Sequence, residues 1–506
     1  EMLALAWRFP AEKELSTDTL EVIAKMMCNG KAGTMEIDLE QPMKLQAVYV
    51  TPYTMTDYSG FVMYVNPIQG QKLEDARALV LDEIEKMKRG EFADDLLESV
   101  KNNLKLKFYE SLLDNGSRAN MFVTSFVSGR PWDVAVGKNA RIEGITKQQI
   151  VDFLNRHFAD NYVCVYKRQG EDTTIVKIDK PAITAIPSNR HLHSRFLDEI
   201  TASHSDPIQP SFVDFSKDMK VFTTKQGLPV LYKHNPADGL FDLCFRYEFG
   251  KQDVKGLGLV PSYLYYIGTD KKTSAEINQE FYKLACEYYV DVMDDAMEIG
   301  ITGLNENMPK ALALLEDFIQ NAKADRESYD KYVALVEKKR SDDKTNQSSN
   351  FTALQRYAFN GKYNSLTNTL SIAELKAVDP QSLPDMIKGL NAVEHRVVYF
   401  GPSSEKELSS LIAKLHKTPK KFAPLPEGKP YEMKQYDENA TVIAPYDAKN
   451  IYMLEVMNTG RKWDASEAAL QSLFNEYFGG GMNAIVFQEL REARGLAYSA
   501  SARYSR

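Results

Sequence analysis

Two side chains near the end of the sequence, Arg491 and Tyr498, have types and spacing that suit carbonyl chemistry. They are seven residues apart in the segment FQELREARGLAY, which begins at Phe487. A guanidinium group can hold a peptide carbonyl or a carboxylate at fixed geometry. A phenol can donate a hydrogen bond to an oxyanion as it forms. The ordinary alternative is that Arg491 pairs with a nearby glutamate on a charged helix and that Tyr498 is a strand aromatic.

The elements that position this pair are indicated by the glycine triplet Gly479–Gly481 just before it. Glycine commonly ends a helix or lets two backbones approach closely. No Lys-Ser pair follows at the spacing of a phosphate-binding loop, so that use of the triplet is disfavoured. We therefore expect one helix to end at the triplet, a second helix to carry Arg491, and a strand to open at Tyr498.

Composition indicates a multidomain globular protein. The chain has 506 residues, 43% of them hydrophobic and 26% charged, with a formal net charge of −8. This length allows three or four domains, and the mild acidity argues against a nucleic-acid partner. The four cysteines form no C-x-x-C pair, which disfavours a zinc ribbon or a redox motif. No apolar run reaches the length of a transmembrane helix.

Hydrophobic periodicity predicts an α+β fold of repeated modules, in which antiparallel sheets pack against helices. We assign residues 1–182 to an N-terminal module, 183–215 to a linker, 216–435 to a middle module and 436–506 to the start of a C-terminal module. The first residues already have the pattern of a strand interior, so the N-terminal module is expected to be truncated, as is the C-terminal one. Within the middle module we expect a helix at about Ser274–Tyr289 and a polar loop over residues 341–350.

A faint internal repeat links the two ends of the chain. At an offset of 451 residues, Leu39, Leu45 and Tyr53 coincide with Leu490, Leu496 and Tyr504; with one residue less, Ser16, Leu20 and Gly30 coincide with Ser466, Leu470 and Gly480. The shared order of strand, helix, glycine turn, helix and strand is the better evidence. It suggests that a half made of two modules is duplicated.

The segment 477–504 resembles the C-terminal substrate-binding module of the insulinase/pitrilysin family of zinc peptidases, and weaker resemblance covers nearly the whole chain. It implies four similar modules in two halves that close like a clamshell around a peptide. The family's first module carries an H-x-x-E-H motif, in which two histidines bind zinc and the glutamate is the general base. In the fourth module an arginine and a tyrosine face the zinc, and here these would be Arg491 and Tyr498.

The zinc motif is absent from this sequence. The segment GLGLVPSYLYYIGT, residues 256–269, has the glycines that frame the family motif, but Leu259 and Tyr263 stand for the histidines and Ser262 for the base. Such residues cannot bind zinc. Glu337 lies near the place of a downstream glutamate ligand, although a solvated helix residue is the ordinary interpretation. In the repeat register the N-terminal module has Glu40 and Ala47 in place of the arginine and tyrosine.

The resemblance therefore implies that this chain consists of the family's second module, its catalytically silent third module and the beginning of its fourth. The expected function is that of the non-catalytic portion of a zinc-dependent endopeptidase. The zinc ligands are expected outside this chain, on a catalytic module upstream of Glu1 or on a separate chain. This chain alone is expected to be inactive. The expected partners are that module and a peptide or unfolded polypeptide, with no nucleic acid. The alternative is a non-catalytic binding or assembly subunit. The compartment stays open, with a bacterial periplasm or cell envelope suggested by analogy alone.

One further cluster is a candidate metal site. His191, His193 and His204 lie in the predicted linker beside acidic residues. A His-x-His pair can bind a metal, but this spacing matches no known site and the segment lacks a rigid scaffold. We expect solvated linker residues.

Overall fold

The computed structural model describes residues 1–505 except 177, 180–191, 208, 210, 237, 238 and 449. His191 and the first part of the predicted linker 183–215 lie outside the described residues. The chain divides into two compact units. Unit 1 comprises Glu1–Thr345 and Ser365–Tyr431, and unit 2 comprises Asn346–Asn364 and Glu432–Arg506.

The described residues contain ten β-strands. They are β1 Met2–Pro10, β2 Ala47–Tyr53, β3 Tyr58–Asn66, β4 Val163–Lys167, β5 Lys220–Thr223, β6 Pro229–His234, β7 Leu240–Tyr247, β8 Cys286–Val292, β9 Met297–Leu304 and β10 Arg396–Gly401.

Within the same described residues, helices outnumber the strands. The α-helices are α1 Ser16–Met27, α2 Leu73–Lys88, α3 Leu96–Ser111, α4 Asn115–Ser128, α5 Trp132–Val136, α6 Lys138–Glu143, α7 Lys147–His157, α8 Arg195–Ala202, α9 Val260–Leu264, α10 Ser274–Lys283, α11 Met308–Asn321, α12 Arg326–Lys344, α13 Gln347–Asn360, α14 Ile372–Ala377, α15 Ser382–Asp385, α16 Glu405–Leu415 and α17 Ala468–Phe478. The 3₁₀ segments are Leu257–Leu259, Asn305–Asn307, Leu390–Ala392 and Ala465–Glu467, and the π-helical segments are Glu36–Glu40 and Phe487–Glu492. Among these described helices, none combines the length and the apolar character needed to cross a membrane.

The sheet of the N-terminal module has the strand order β2-β3-β1-β4, and every neighbouring pair is antiparallel. Successive side chains of a strand point to opposite faces, and the alternating residues Leu3, Leu5, Trp7 and Phe9 of β1 are all buried. The helices α1 and α2 pack on this face and complete the core. The alternation seen in the sequence therefore identifies the core face correctly.

The sheet of the middle module repeats this topology. Its order is β5-β6-β10-β7-β9-β8, so β8-β9-β7-β10 corresponds to β2-β3-β1-β4. The pairs within that common set are antiparallel, whereas β10 and β6 are parallel. The predicted α+β class with repeated sheet-and-helix modules is confirmed, and the single parallel pair is a departure from a purely antiparallel sheet. The module boundaries stay a prediction.

Two local predictions in the middle module are wrong. The helix expected at Ser274–Tyr289 ends as α10 at Lys283, because Ala285 adopts a left-handed conformation with φ of 46° and the chain continues as β8. The aromatic and β-branched residues of β8 fit a pleated surface better than a helix. The loop expected over residues 341–350 is mostly helical, since α12 continues to Lys344 and Asn346 caps α13 through the backbone N–H of Ser349.

The N-terminal and middle modules exchange core residues within unit 1. Tyr282 of α10 is buried in the hydrophobic core of the N-terminal module, and Met43 is buried in that of the middle module. The Asn103 side chain donates to the Tyr282 carbonyl at 2.9 Å. Lys31 donates to the Tyr288 carbonyl at 3.2 Å, and its ammonium group lies 4.9 Å from the centre of the Tyr288 ring. These contacts join the two modules into one folded unit.

Unit 2 carries the segment with Arg491. Over its described residues it contains α13, α17, one 3₁₀ segment and one π-helical segment but no strand, so the strand expected at Tyr498 is wrong. An extended segment forms a ladder only beside another strand. Here the side chain of Asn475 pairs with the backbone of Tyr504 instead, through hydrogen bonds of 2.9 and 2.7 Å.

Candidate functional site

Arg491 lies on a π-helical segment that has a structural counterpart 451 residues earlier. The first residues of the segments Glu36–Glu40 and Phe487–Glu492 are 451 residues apart, and so are the last residues of α1 and α17. The backbone hydrogen bonds also repeat: Cys28 to Ala24 matches Gly479 to Asn475, and Leu45 to Leu39 matches Leu496 to Leu490. The structure therefore supports the repeat seen in the sequence, with 451 as the offset for this stretch.

The structure brings Arg491 and Tyr498 together. The guanidinium carbon of Arg491 lies 4.7 Å from the ring centre of Tyr498 and 4.7 Å from that of Phe487. Such contacts between a cation and an aromatic face are attractive. Glu492 is the nearest acidic partner, with its Oε1 3.6 Å from Arg491 Nε. This distance exceeds a normal hydrogen bond, so the carboxylate does not occupy the guanidinium donor at close range.

Exposure leaves both groups accessible within unit 2. The Arg491 side chain is 34% exposed and Tyr498 is 87% exposed. Arg491 can donate in-plane N–H bonds to a carboxylate or a carbonyl. The phenol of Tyr498 can donate one further bond. Neither group is consumed by core packing, which was the ordinary alternative for Tyr498.

The same position in the N-terminal module carries the opposite charge. Glu36 begins that π-helical segment and is buried, and its carboxylate accepts backbone N–H bonds from Asn29, Gly30 and Gly33 at 2.5–3.2 Å. Glu40, in the place of Arg491, accepts the backbone N–H of Val48. Burial raises the pKa of Glu36, partly offset by its backbone donors. These carboxylates are bound internally by their own turn.

The degenerate zinc motif is packed with aromatic rings. Tyr263 is fully buried, and its ring centre lies 4.9 Å from that of Tyr332 and 5.5 Å from that of Tyr329. The hydroxyls of Ser262 and Tyr332 are 2.7 Å apart, so that one donates to the other, and they lie 3.0 and 2.9 Å from the Leu259 carbonyl oxygen. Burial also raises the pKa of the Tyr263 phenol well above its usual range.

These residues do not fit a zinc ion. A catalytic zinc site needs histidine, cysteine or carboxylate ligands around an open coordination position, whereas Leu259 is apolar and the Tyr263 phenol stays protonated. Glu337 pairs with Lys376 at 2.9 Å, and both side chains are about half exposed. Across the described residues, no group of three or more His, Cys, Asp or Glu side chains is placed to hold a metal. In the linker, His193 lies 3.6 Å from Asp198, and both are exposed.

Sequence reasoning missed a buried histidine pair. The Nε2 atoms of His395 and His416 are 2.9 Å apart, His416 Nδ1 lies 2.6 Å from the Glu316 carboxylate, and His395 Nδ1 lies 2.6 Å from the Val393 carbonyl. Burial lowers the pKa of His395 to about 4, so this ring is neutral at neutral pH and accepts from His416. The network ties the start of β10 to α11 and to the end of α16. No local signal reveals it, because its members are far apart in sequence.

Comparison with known proteins bears on the end of the chain. Residues 395–506 match the family model described as the peptidase M16 inactive domain. A search of curated protein sequences finds no match.

Solved structures give distant likenesses. The ferredoxin protease FusC, an E83A mutant in complex with Arabidopsis ferredoxin, is 11% identical with a TM-score of 0.44 over 86% of this chain and 51% of its own. Pitrilysin is 12% identical with a TM-score of 0.46 over 82% and 46%. A peptidase M16 inactive domain from Pseudomonas fluorescens is 17% identical with a TM-score of 0.42 over 57% and 71%.

The chain thus spans about half the length of FusC and of pitrilysin. Likenesses this distant carry no conclusion about activity, and the family model is the finding that bears on identity. It agrees with the resemblance seen in the sequence: residues 395–506 match the peptidase M16 inactive domain, a module of the insulinase/pitrilysin family.

Proposed function

We propose that this chain is the non-catalytic portion of a zinc-dependent endopeptidase that cleaves peptides in a closed chamber formed by two halves. The catalytic zinc module is supplied from outside residues 1–506, either by the same protein or by a separate chain. Arg491 and Tyr498 bind the peptide near the cleaved bond. The substrate is a peptide or an unfolded polypeptide that is small enough to enter the chamber.

The arrangement of Arg491 and Tyr498 is the observation that carries the proposal. The two side chains are in contact and accessible, and the nearest carboxylate oxygen, that of Glu492, lies 3.6 Å from Arg491 Nε, beyond a normal hydrogen bond. A guanidinium group held against aromatic rings can bind a peptide carbonyl or a carboxylate through its N–H donors. A phenol beside it can donate to an oxygen whose charge grows as the carbonyl is attacked, which stabilises the transition state more than the ground state.

The middle module supports the non-catalytic part of the proposal. Leu259 and Tyr263 offer no zinc ligand, and Ser262 is already hydrogen-bonded to Tyr332 and to the Leu259 carbonyl. A general base for water attack needs a group near its working pKa within reach of that water, and no such group stands at this position. Residues 1–506 alone should therefore show no chelator-sensitive cleavage.

The test uses the natural protein together with its catalytic module and a quenched fluorescent casein peptide, assayed with and without a chelator. We expect chelator-sensitive cleavage that Arg491→Ala and Tyr498→Phe each reduce about 100-fold in kcat/KM, the usual loss of one oxyanion donor. Arg494→Ala and Tyr477→Phe are matched controls, since both residues are exposed in the same unit. They should stay close to the wild type.

Three outcomes contradict the proposal. Cleavage that ignores the chelator removes the zinc mechanism. If the natural protein does not cleave the peptide, while its Arg491→Ala variant still assembles with its partner, the result supports a non-catalytic binding or assembly subunit instead. Chelator-sensitive cleavage by residues 1–506 alone would show that the catalytic group lies inside this chain.

A further inference from the structure

We infer that Phe487 is a positioning residue for Arg491, and that peptide binding depends on its aromatic ring. The inference rests on the proposed function, because it concerns the same binding site. It adds a third side chain to the predicted pair.

The geometry points to Phe487 as strongly as to Tyr498. The Arg491 guanidinium carbon is 4.7 Å from both ring centres. The nearest carboxylate, that of Glu492, is 3.6 Å from Nε and outside hydrogen-bonding distance. The two rings flank the guanidinium group at equal distance, and together with the Glu492 carboxylate they restrict its direction.

Of the two rings, that of Phe487 is the better fixed. Phe487 and Arg491 belong to one π-helical segment, so the backbone sets their separation. Flanking hydrogen bonds from Ala493 to Gln488 and from Leu496 to Leu490 hold that segment. Phe487 is also partly buried, whereas Tyr498 is 87% exposed on irregular backbone. A free arginine side chain has many rotamers, and a ligand that orders them binds more weakly. The contact with Phe487 restricts the Arg491 side chain before the peptide binds, and so reduces the loss of side-chain entropy on binding.

The internal repeat shows that the framework does not require an aromatic residue here. The residue in the place of Phe487 is Glu36, and the residue in the place of Arg491 is Glu40. Glu36 points its carboxylate at the backbone of its own turn and forms the same kind of π-helical segment. The π-helical conformation therefore forms without a phenylalanine at this position, and the phenylalanine is found in the copy that has the arginine.

The experiment measures how the full 506-residue chain binds a fluorescein-labelled casein peptide, by fluorescence anisotropy. We expect Phe487→Ala and Phe487→Leu to weaken binding about threefold to tenfold, the range of one contact between a cation and an aromatic ring. Phe487→Tyr keeps a ring and should bind like the wild type. Phe474→Leu is the matched control, because Phe474 stacks on Phe478 in α17 and not on Arg491.

A double-mutant cycle separates positioning from a merely structural role. In the Arg491→Ala background, Phe487→Ala should have no further effect on binding. The NMR shift of the Arg491 Nε–H proton should also move in Phe487→Ala, since the ring current is lost, but should stay unchanged in Phe474→Leu.

The outcomes distinguish a failure of this inference from a failure of the proposed function. If the wild type binds, Arg491→Ala weakens binding and Phe487→Ala does not, the inference is overturned while the proposed function stands. Equal effects of Phe487→Ala with and without Arg491 also overturn it. If the wild type does not bind the peptide, or Arg491→Ala binds as tightly as the wild type, the proposed function fails and the inference fails with it.

Discussion

The turn after α1 and the turn after α17 share a backbone pattern and differ in where their functional side chains point. After α1, Glu36 and Glu40 accept backbone N–H groups and the region is buried. After α17, Phe487 and Arg491 occupy the same places and the arginine is accessible to a ligand. The same backbone framework therefore carries buried, internally bonded side chains in one copy and accessible side chains in the other.

The helices that precede these turns differ in burial in the same way. Val22, Ile23 and Met26 of α1 are fully buried under the first sheet. Their counterparts in α17, Leu473, Phe474 and Tyr477, are 69%, 46% and 70% exposed. The N-terminal copy is thus held by its core, whereas packing constrains the C-terminal copy far less. Four measurements test this contrast.

The largest expected effect is a core truncation in α1. Ile23→Ala should lower the free energy of unfolding of unit 1 by about 4 kcal/mol, because it leaves a cavity in a packed core. The matched change Phe474→Ala should cost less than about 1 kcal/mol, since that ring is already 46% exposed. Hydrogen exchange followed by mass spectrometry reads the two regions separately. Similar losses in both would mean that α17 is as tightly packed as α1, and the contrast would be wrong.

The next effect concerns close backbone approach at the first turn. A Cβ added to Gly33 would clash with the Met27 carbonyl oxygen, so Gly33→Ala should destabilise unit 1 by about 3 kcal/mol. The counterpart of Gly33 is already alanine, Ala484, which donates its N–H to the Gly481 carbonyl instead. Gly60→Ala is the control, because its Cβ would meet only Val62 at 3.8 Å. A tolerated Gly33→Ala would show that the two turns close alike.

A smaller effect is expected from the buried carboxylate. Glu36→Gln keeps the shape but replaces one acceptor oxygen by an amide that cannot accept, so part of the Asn29, Gly30 and Gly33 donor set loses its partner. We expect a loss of about 2 kcal/mol in unit 1, measured by urea denaturation. Phe487→Gln at the corresponding position should change the stability of unit 2 by less than about 0.5 kcal/mol. Equal losses would mean that Phe487 also supports its turn.

Local sequence signals predicted the framework well. The strand interior expected at the start of the chain is β1, and the helix expected to end at the glycine triplet is α17, which ends at Phe478. These elements alternate or repeat with clear hydrophobic periods, which local sequence records. The boundary after Lys283 was missed because it depends on the left-handed Ala285, a residue type that gives no warning of this conformation.

Tertiary contacts set the rest of the site, and the sequence does not record them locally. Nothing in the sequence placed Tyr282 in the core of another module. The contact between Phe487 and Arg491 was also missed, although side chains four residues apart are neighbours on a helix, because the prediction concerned only the Arg491–Tyr498 pair. The pairing of Arg491 with Tyr498 was predicted only through resemblance to the family. Its role in binding stays a prediction.

The smallest expected effect is a pH dependence at Glu40, the residue in the place of Arg491. Burial raises the pKa of Glu40 to about 7, the Val48 N–H opposes the rise, and the charge of Glu36 adds to it. A carboxyl group with a higher pKa in the folded chain binds more protons when folded. Its contribution to stability is therefore complete below its unfolded pKa and is lost as the pH rises through about 7.

We expect unit 1 of the wild type to lose some stability between about pH 5 and pH 8, and Glu40→Gln to remove that part of the loss, because the amide does not titrate. Urea denaturation across this range measures it, with Glu171→Gln as an exposed control in the same unit. Identical pH slopes for the wild type and Glu40→Gln would show that Glu40 titrates as in the unfolded chain. The first copy would then tolerate a charge at this position as readily as the last copy carries Arg491, and burial would no longer explain why the two differ.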